Sequence, residues 1–107
     1  VGIYIGQDAR NTTRYVPMLT QGGLGLPDRD YYLTEGFKPQ LEAYTAFIVR
    51  ALTMVGYADP AKSAADVVAF ETAIAKASWA VADRRDIDKI YNPVTQAEMD
   101  AGSIELF

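Results

Sequence analysis

From Phe37 to Val55 the apolar residues Phe37, Leu41, Tyr44, Ile48, Leu52 and Val55 recur every three or four positions. That period commits the stretch to a long α-helix with one apolar face. A one-sided helix gains most of its stability from a partner surface, so the rest of the chain must supply one. Pro39 fits the first turn, where its missing N–H costs nothing, and Gly56 is placed to end the helix. After the linker YADPAK, a second stripe follows: Val67, Phe70, Ile74, Ala77 and Val81. Ser63-Ala64-Ala65-Asp66 has the S-x-x-D form of a capping box and is expected to open this helix. Glu71, Lys76 and Asp83 fall off the stripe. A short linker between two such segments predicts an antiparallel helix pair. Residues 83–94 are polar and irregular, and Thr95-Gln96-Ala97-Glu98 is a T-x-x-E box that starts a third helix.

Upstream of Phe37 the pattern changes. Residues 2–7 (GIYIGQ) and 14–20 (RYVPMLT) are β-branched and aromatic, with turn-formers DARNTT between them, and they read as a β-hairpin. Pro17 cannot donate to a ladder and belongs at an edge or bulge. Residues 21–34 (QGGLGLPDRDYYLT) read as a loop rich in Gly, Pro and Asp. The expected fold is therefore mainly α with a small β-hairpin, a single unit over 1–107: hairpin in 1–20, Gly/Pro loop in 21–34, helices in 35–107. The opening run Val1-Gly2-Ile3-Tyr4-Ile5 reads as the inside of a strand, and the closing Ile104-Glu105-Leu106-Phe107 shows no stop signal. A piece of a longer chain is expected.

Composition bounds the chemistry. The 107 residues include no histidine and no cysteine. A Ser-His-Asp triad, a Cys-His dyad, a histidine or thiolate metal site and a disulfide framework are all excluded. The net charge of −4 disfavours nucleic acid and anionic membrane surfaces, and the basic residues form no run. No stretch reaches the roughly 20 apolar residues that span a bilayer.

Several groups of residues invite a functional reading. Gly22-Gly23-Leu24-Gly25 is not a dinucleotide fingerprint: Asp28 stands where G-x-G-x-x-G needs glycine, and no G-K-S/T follows. The glycines read instead as a backbone path with positive φ. Asp28, Asp30 and Glu35 could form a carboxylate cluster for acid–base work, but their spacing matches no calcium loop, and Asp28 and Asp30 read better as turn caps. A carboxylate-dependent hydrolase built on these three is one rival function. Asp83-Arg84-Arg85-Asp86 is either a docking patch or a solvated ion-pair network at a helix end, the second being the better reading. Asn11-Thr12-Thr13 matches a glycosylation sequon in a turn. Trp79 reads as core.

The run Gln21-Gly22-Gly23-Leu24-Gly25-Leu26-Pro27-Asp28-Arg29-Asp30-Tyr31-Tyr32 resembles a stretch in the N-terminal half of the neprilysin-like zinc metallopeptidases, a family that includes neprilysin, endothelin-converting enzymes and bacterial oligopeptidases. Ile3-Tyr4-Ile5 with Asp8, Asn11 and Arg14-Tyr15 resembles the family's strand, D-x-x-N turn and strand. Glu71, Ile74 and Ala75, then Arg84-Arg85-Asp86, Tyr91-Asn92 and Thr95, continue the resemblance in order. The resemblance implies part of the helical, non-catalytic region of a large exported or surface-bound enzyme that cleaves oligopeptides. Its location would be extracytoplasmic: periplasmic, secreted or at the cell surface. The family's zinc is held by H-E-x-x-H and a later E-x-x-x-D, and neither motif occurs here. No catalytic or metal residue is carried over, and zinc is expected in the parent enzyme only. Its partners would be the rest of the peptidase chain and the parent's oligopeptide substrates. Leu24, Gly25, Leu26, Pro27, Asp28, Arg29, Asp30, Tyr31 and Tyr32 are read as architectural: Gly25 making a turn, Leu26 filling the core, Pro27 stiffening the loop, and Arg29 and Asp30 bonding nearby backbone or charges. The other rival is a stand-alone interaction module with a large exposed apolar patch.

Overall fold

A computed structural model describes residues 2–102; Val1 and the closing Ile104–Phe107 run lie outside the described residues. The chain is mainly helical with one two-stranded antiparallel sheet. Strand β1 (Gly2–Asp8) pairs with β2 (Asn11–Thr20), running from Gly2 opposite Thr20 to Gln7 opposite Tyr15, with Ile5 opposite Pro17. The register shifts between Gln7 and Asp8, so that Asp8 faces Asn11. The connection is tighter than the sequence suggested: only Ala9 and Arg10 turn, and residues 11–13 already belong to β2. The Asn11 side chain makes this possible by accepting from the Thr13 N–H and hydroxyl.

After the loop a short helix α1 (Asp30–Leu33) forms inside the stretch read as irregular, followed by a 3-10 turn at Glu35–Phe37. Asp28 is the reason. Its carboxylate accepts the Asp30 N–H at 2.7 Å, supplying a local bond that composition-based reading does not weigh. Helix α2 (Lys38–Met54) carries Pro39 in its first turn as expected. It ends in a Schellman motif: Gly56 has φ +85°, its N–H donates to the Thr53 carbonyl, and the Tyr57 N–H donates to that of Leu52.

Helix α3 (Pro60–Ala77) begins three residues before the expected Ser63 box. Asp59 is the cap, accepting the Lys62 N–H at 3.1 Å, with Pro60 at the first helical position. A Pro at that position was the stronger signal than the box. Short helices α4 (Val81–Arg84) and α5 (Ile87–Ile90) follow, then α6 (Gln96–Gly102). Thr95 and Glu98 form the reciprocal capping box: the Thr95 N–H donates to Glu98 at 2.7 Å, and the Glu98 N–H returns to the Thr95 hydroxyl at 3.2 Å.

The core lies between α1, α2 and α3 and centres on Tyr32, Ile48, Ala64 and Ala75. On α2 the expected stripe does face inward, from Leu41 through Tyr44 and Ile48 to Leu52, while Val55 is exposed. On α3 the expected stripe is displaced. Phe70 is 69% exposed, and Val81 belongs to a different helix. The packed face runs through Ala64, Val68, Glu71, Thr72 and Ala75 instead. Ala64 and Ala75 are completely buried, which allows the helices to approach closely. Trp79 is 42% exposed, so it is not core.

Candidate functional site

The loop of residues 21–29 and helix α1 are bound to the rest of the molecule through a few polar contacts. Tyr32 is 7% exposed, and its hydroxyl donates to Glu71 Oε2 at 2.6 Å while accepting the Leu26 N–H at 3.1 Å. Tyr44, on α2, donates to Glu71 Oε1 at 3.0 Å. One carboxylate on α3 thereby joins α1, α2 and the loop. Burial first, and the Glu71 carboxylate second, push the hydroxyls of Tyr32 and Tyr44 above the usual tyrosine range, so both remain protonated donors.

Gly25 lies against this cluster: a Cβ there would overlap the Tyr44 hydroxyl. Its φ is not positive, so Gly25 serves close approach rather than the turn the sequence reading assigned to it. Gly23, with φ +101°, makes the turn. Leu26 is half-buried, and its structural contribution includes the backbone N–H given to Tyr32. Arg29 donates from Nη1 to the Ser78 carbonyl at 2.7 Å, fastening the loop to the end of α3. Its Nε is buried and has no hydrogen-bond partner. Gln21 reinforces the seam by accepting the Trp79 N–H at 3.0 Å. Tyr31 stacks on Phe37 with ring centroids 4.3 Å apart.

A second cluster holds the hairpin tip. Asp8 is buried and accepts from the Arg10 N–H at 2.9 Å and from the Tyr91 hydroxyl at 2.7 Å. The Arg10 N–H, then the Tyr91 hydroxyl, hold its carboxyl below the usual range. The bond to Asp8, ahead of burial, raises Tyr91. Arg10 lies over the Tyr91 ring and pairs with Asp88 at 3.1 Å.

The charged group at 83–86 is largely satisfied locally. Asp83 pairs with Lys89 at 2.7 Å, and Asp86 caps α5 by accepting the Asp88 and Lys89 N–H groups. Between this turn and the loop lies a cleft of about 130 Å³, lined by Gln21, Leu26, Asp28, Arg29, Trp79 and Arg84 among others.

Asp28, Asp30 and Glu35 are not gathered into a site. Among the described residues no group of three or more His, Cys, Asp or Glu side chains could hold a metal ion. Among the same residues no helix is long and apolar enough to cross a membrane. The sequence reading named Glu71 and Asp8 only as part of the family resemblance and gave neither the role of organising these clusters. Glu71 could have been found from Ala64, Val68 and Ala75, which share its side of the helix. For Asp8 the D-x-x-N turn was a local signal, but its bond to Tyr91 had none, because that partner is 83 residues away.

The model of peptidase family M13, N-terminal region, matches residues 1–106. Endothelin-converting enzyme 1 of Cavia porcellus is 38% identical over 102 residues, 91% of this chain and 13% of that protein. Endothelin-converting enzyme-like 1 of Rattus norvegicus is 35% identical over 99 residues, 89% of this chain and again 13% of its own length. The crystal structure of the Mycobacterium tuberculosis zinc metalloprotease Zmp1 in complex with an inhibitor superposes with a TM-score of 0.88 at 41% identity, covering 94% of this chain and 16% of that one. The chain thus spans a small part of each relative's length. A fold match at this identity, with a family match along almost every residue, leads to one conclusion: the chain belongs to peptidase family M13 and corresponds to part of its N-terminal region.

Proposed function

We propose that this chain is a non-catalytic segment of a zinc metalloendopeptidase that cleaves oligopeptides, and that it helps build the wall or lid of the substrate chamber. The observation that carries the reading is the chain-long match to the M13 N-terminal region together with the zinc metalloprotease fold match. The surface supports it. The chain exposes 8052 Å², against about 5,900 Å² for a compact monomer of this mass. No large side chain is fully buried among the described residues, while Ile3, Tyr4, Ile5 and Tyr15 of the hairpin are all more than half exposed. A segment that is completed by further chain has this character.

The residues here do not fit a zinc ion: the chain has no His or Cys, and the described residues hold no ligand cluster. Zinc, and the activation of water, belong in this reading to other parts of the whole protein. What this segment supplies is shape. The Leu24–Tyr32 loop, tied to α3 through Tyr32–Glu71 and Arg29–Ser78, is architectural, and a rigid wall of this kind excludes water and limits access by size. An extracytoplasmic location is part of the same reading.

The test uses the whole protein. It should bind one zinc, cleave oligopeptides, and be labelled within residues 1–107 by a non-hydrolysable peptide carrying a terminal photoreactive group. Labelling confined to other regions would sink the wall-or-lid assignment. The exposed apolar hairpin also suits a stand-alone interaction module. That reading requires the 107-residue chain to form a defined oligomer at low micromolar concentration, and a monomer or an ill-defined aggregate rejects it.

A further inference from the structure

The cleft between the loop and the 78–84 turn contains unused binding capacity. Arg29 lines it and spends Nη1 on the Ser78 carbonyl; its Nε is closed off from solvent, so what it can still offer the cleft is the rest of the guanidinium edge. Arg84, on α4, lines the same cleft. Neither arginine forms an ion pair among the described residues, whereas Lys89 and Asp83 nearby satisfy one another. A planar guanidinium is matched best by an oxyanion that accepts along its edge.

The cleft's own charge decides the sign of what fits. Two guanidinium groups face one carboxylate, Asp28, and one oxygen of that carboxylate already accepts the Asp30 N–H. The balance is positive and calls for an anion. Its volume of about 130 Å³ is that of about four waters of liquid. That holds a carboxylate on its methylene stem and is more than one bridging water needs.

We infer that this cleft is a carboxylate seat, filled in the whole protein by an acidic side chain from outside residues 2–102 that binds Arg29 and Arg84. The inference rests on the reading of this chain as part of a longer peptidase. The occupant is taken from that chain because the cleft opens at the surface of a segment with an unusually large exposed area, and Arg84 itself is exposed among the described residues. A carboxylate arriving there would fasten the loop, α3 and α4 to the remainder of the protein in one contact.

The experiment compares Arg84→Glu with Arg85→Glu in the whole protein by thermal unfolding, with and without 50 mM sodium acetate at constant ionic strength. The Arg84 side chain makes no hydrogen bond or ion pair among the described residues, and its backbone bond to the Ala80 carbonyl survives replacement, so little else is removed. Arg85 is the adjacent C-cap residue and does not line the cleft, so it controls for charge at that helix end. The expected result is a clear fall in melting temperature for Arg84→Glu, little change for Arg85→Glu, and no effect of acetate on the parent protein. If acetate instead raises the parent's melting temperature and Arg84→Glu abolishes that rise, the seat takes a free carboxylate and the assigned occupant is wrong. If the two variants melt alike, there is no carboxylate seat. Zinc content and peptide cleavage of the unmutated protein report separately on the peptidase reading, so either idea can fail alone.

Discussion

Replacing Tyr32 with Phe tests whether the Glu71 cluster holds the loop in place. The ring stays, so packing is nearly conserved, and only the hydroxyl is lost. That oxygen makes a short bond to a carboxylate, 2.6 Å, and receives a backbone N–H at 3.1 Å. A bond to a charged acceptor is worth roughly 1.5–3 kcal/mol and a neutral one about 1 kcal/mol, with more lost when the partner remains buried. Together these give a destabilisation of about 2–4 kcal/mol for Tyr32→Phe. Tyr44 is the internal comparison. Its hydroxyl makes one bond, at 3.0 Å, from a less buried position, so Tyr44→Phe should cost about 1–2 kcal/mol. Urea unfolding of the two variants and the parent, read as midpoint shifts at unchanged m, provides the values. Glu71→Gln completes a double-mutant cycle, in which Tyr32→Phe and Glu71→Gln should couple by at least about 1 kcal/mol. A cost for Tyr32→Phe below about 0.5 kcal/mol, or one smaller than that of Tyr44→Phe, would refute the reasoning.

Other outcomes follow from the same geometry. Because folding raises the pKa of Tyr32 and Tyr44 above their ordinary 10.0, the cluster's contribution is complete below pH 10 and is lost as pH rises beyond it. Equilibrium unfolding between pH 9 and 11 should show that fall, reduced in Tyr32→Phe. Gly25→Ala should destabilise by about 1–3 kcal/mol because its Cβ displaces the Tyr44 hydroxyl and ring, whereas Gly22→Ala, with nothing within 4 Å, should stay within about 0.5 kcal/mol of the parent in the same urea assay. Asp59→Ala removes the true cap of α3 and should cost about 1 kcal/mol, while Ser63→Ala should cost far less; calorimetry distinguishes the two. Asp8 has a lowered pKa in the folded state, so its stabilising effect is present above its ordinary 3.8 and disappears as pH falls below it. Asp8→Asn should therefore flatten the acid limb of the stability curve.

Helix α2 was legible in the sequence because its apolar period coincides with its packed face, and its Pro39 start and Gly56 stop are set by local backbone physics. The Thr95 box was legible for the same reason. Helix α3 was read on the wrong face. Phe70, its bulkiest apolar residue, and Val67 are exposed, while the buried side is marked by alanines and by Glu71, whose carboxylate becomes inward-facing only because two tyrosines from other elements meet it. Gly25 was read as making a turn, whereas the constraint on it is a hydroxyl on α2 and not its own φ. The loop's importance was visible through its resemblance to a family; the contacts that fix it, Arg29 to Ser78 and Gln21 to Trp79, join residues about fifty apart or more. Such pairings leave no periodic trace.

The bond between Asp8 and Tyr91 has a consequence for synthesis. Its two ends are separated by 83 residues, and among the described residues the hairpin tip has no other anchor of comparable burial. On a ribosome adding roughly 5–20 residues per second, the hairpin completed at Thr20 waits about 4–14 s before Tyr91 is made. Hairpins form in microseconds, but a lone two-stranded one is only marginally stable, so β1 and β2 pair and reopen through that interval with Ile3, Tyr4 and Ile5 exposed. The hairpin is made well before the residue that secures its tip, and slowing translation between residues 20 and 91 would lengthen the period in which it is open to chaperones or to mispairing with a neighbouring nascent chain.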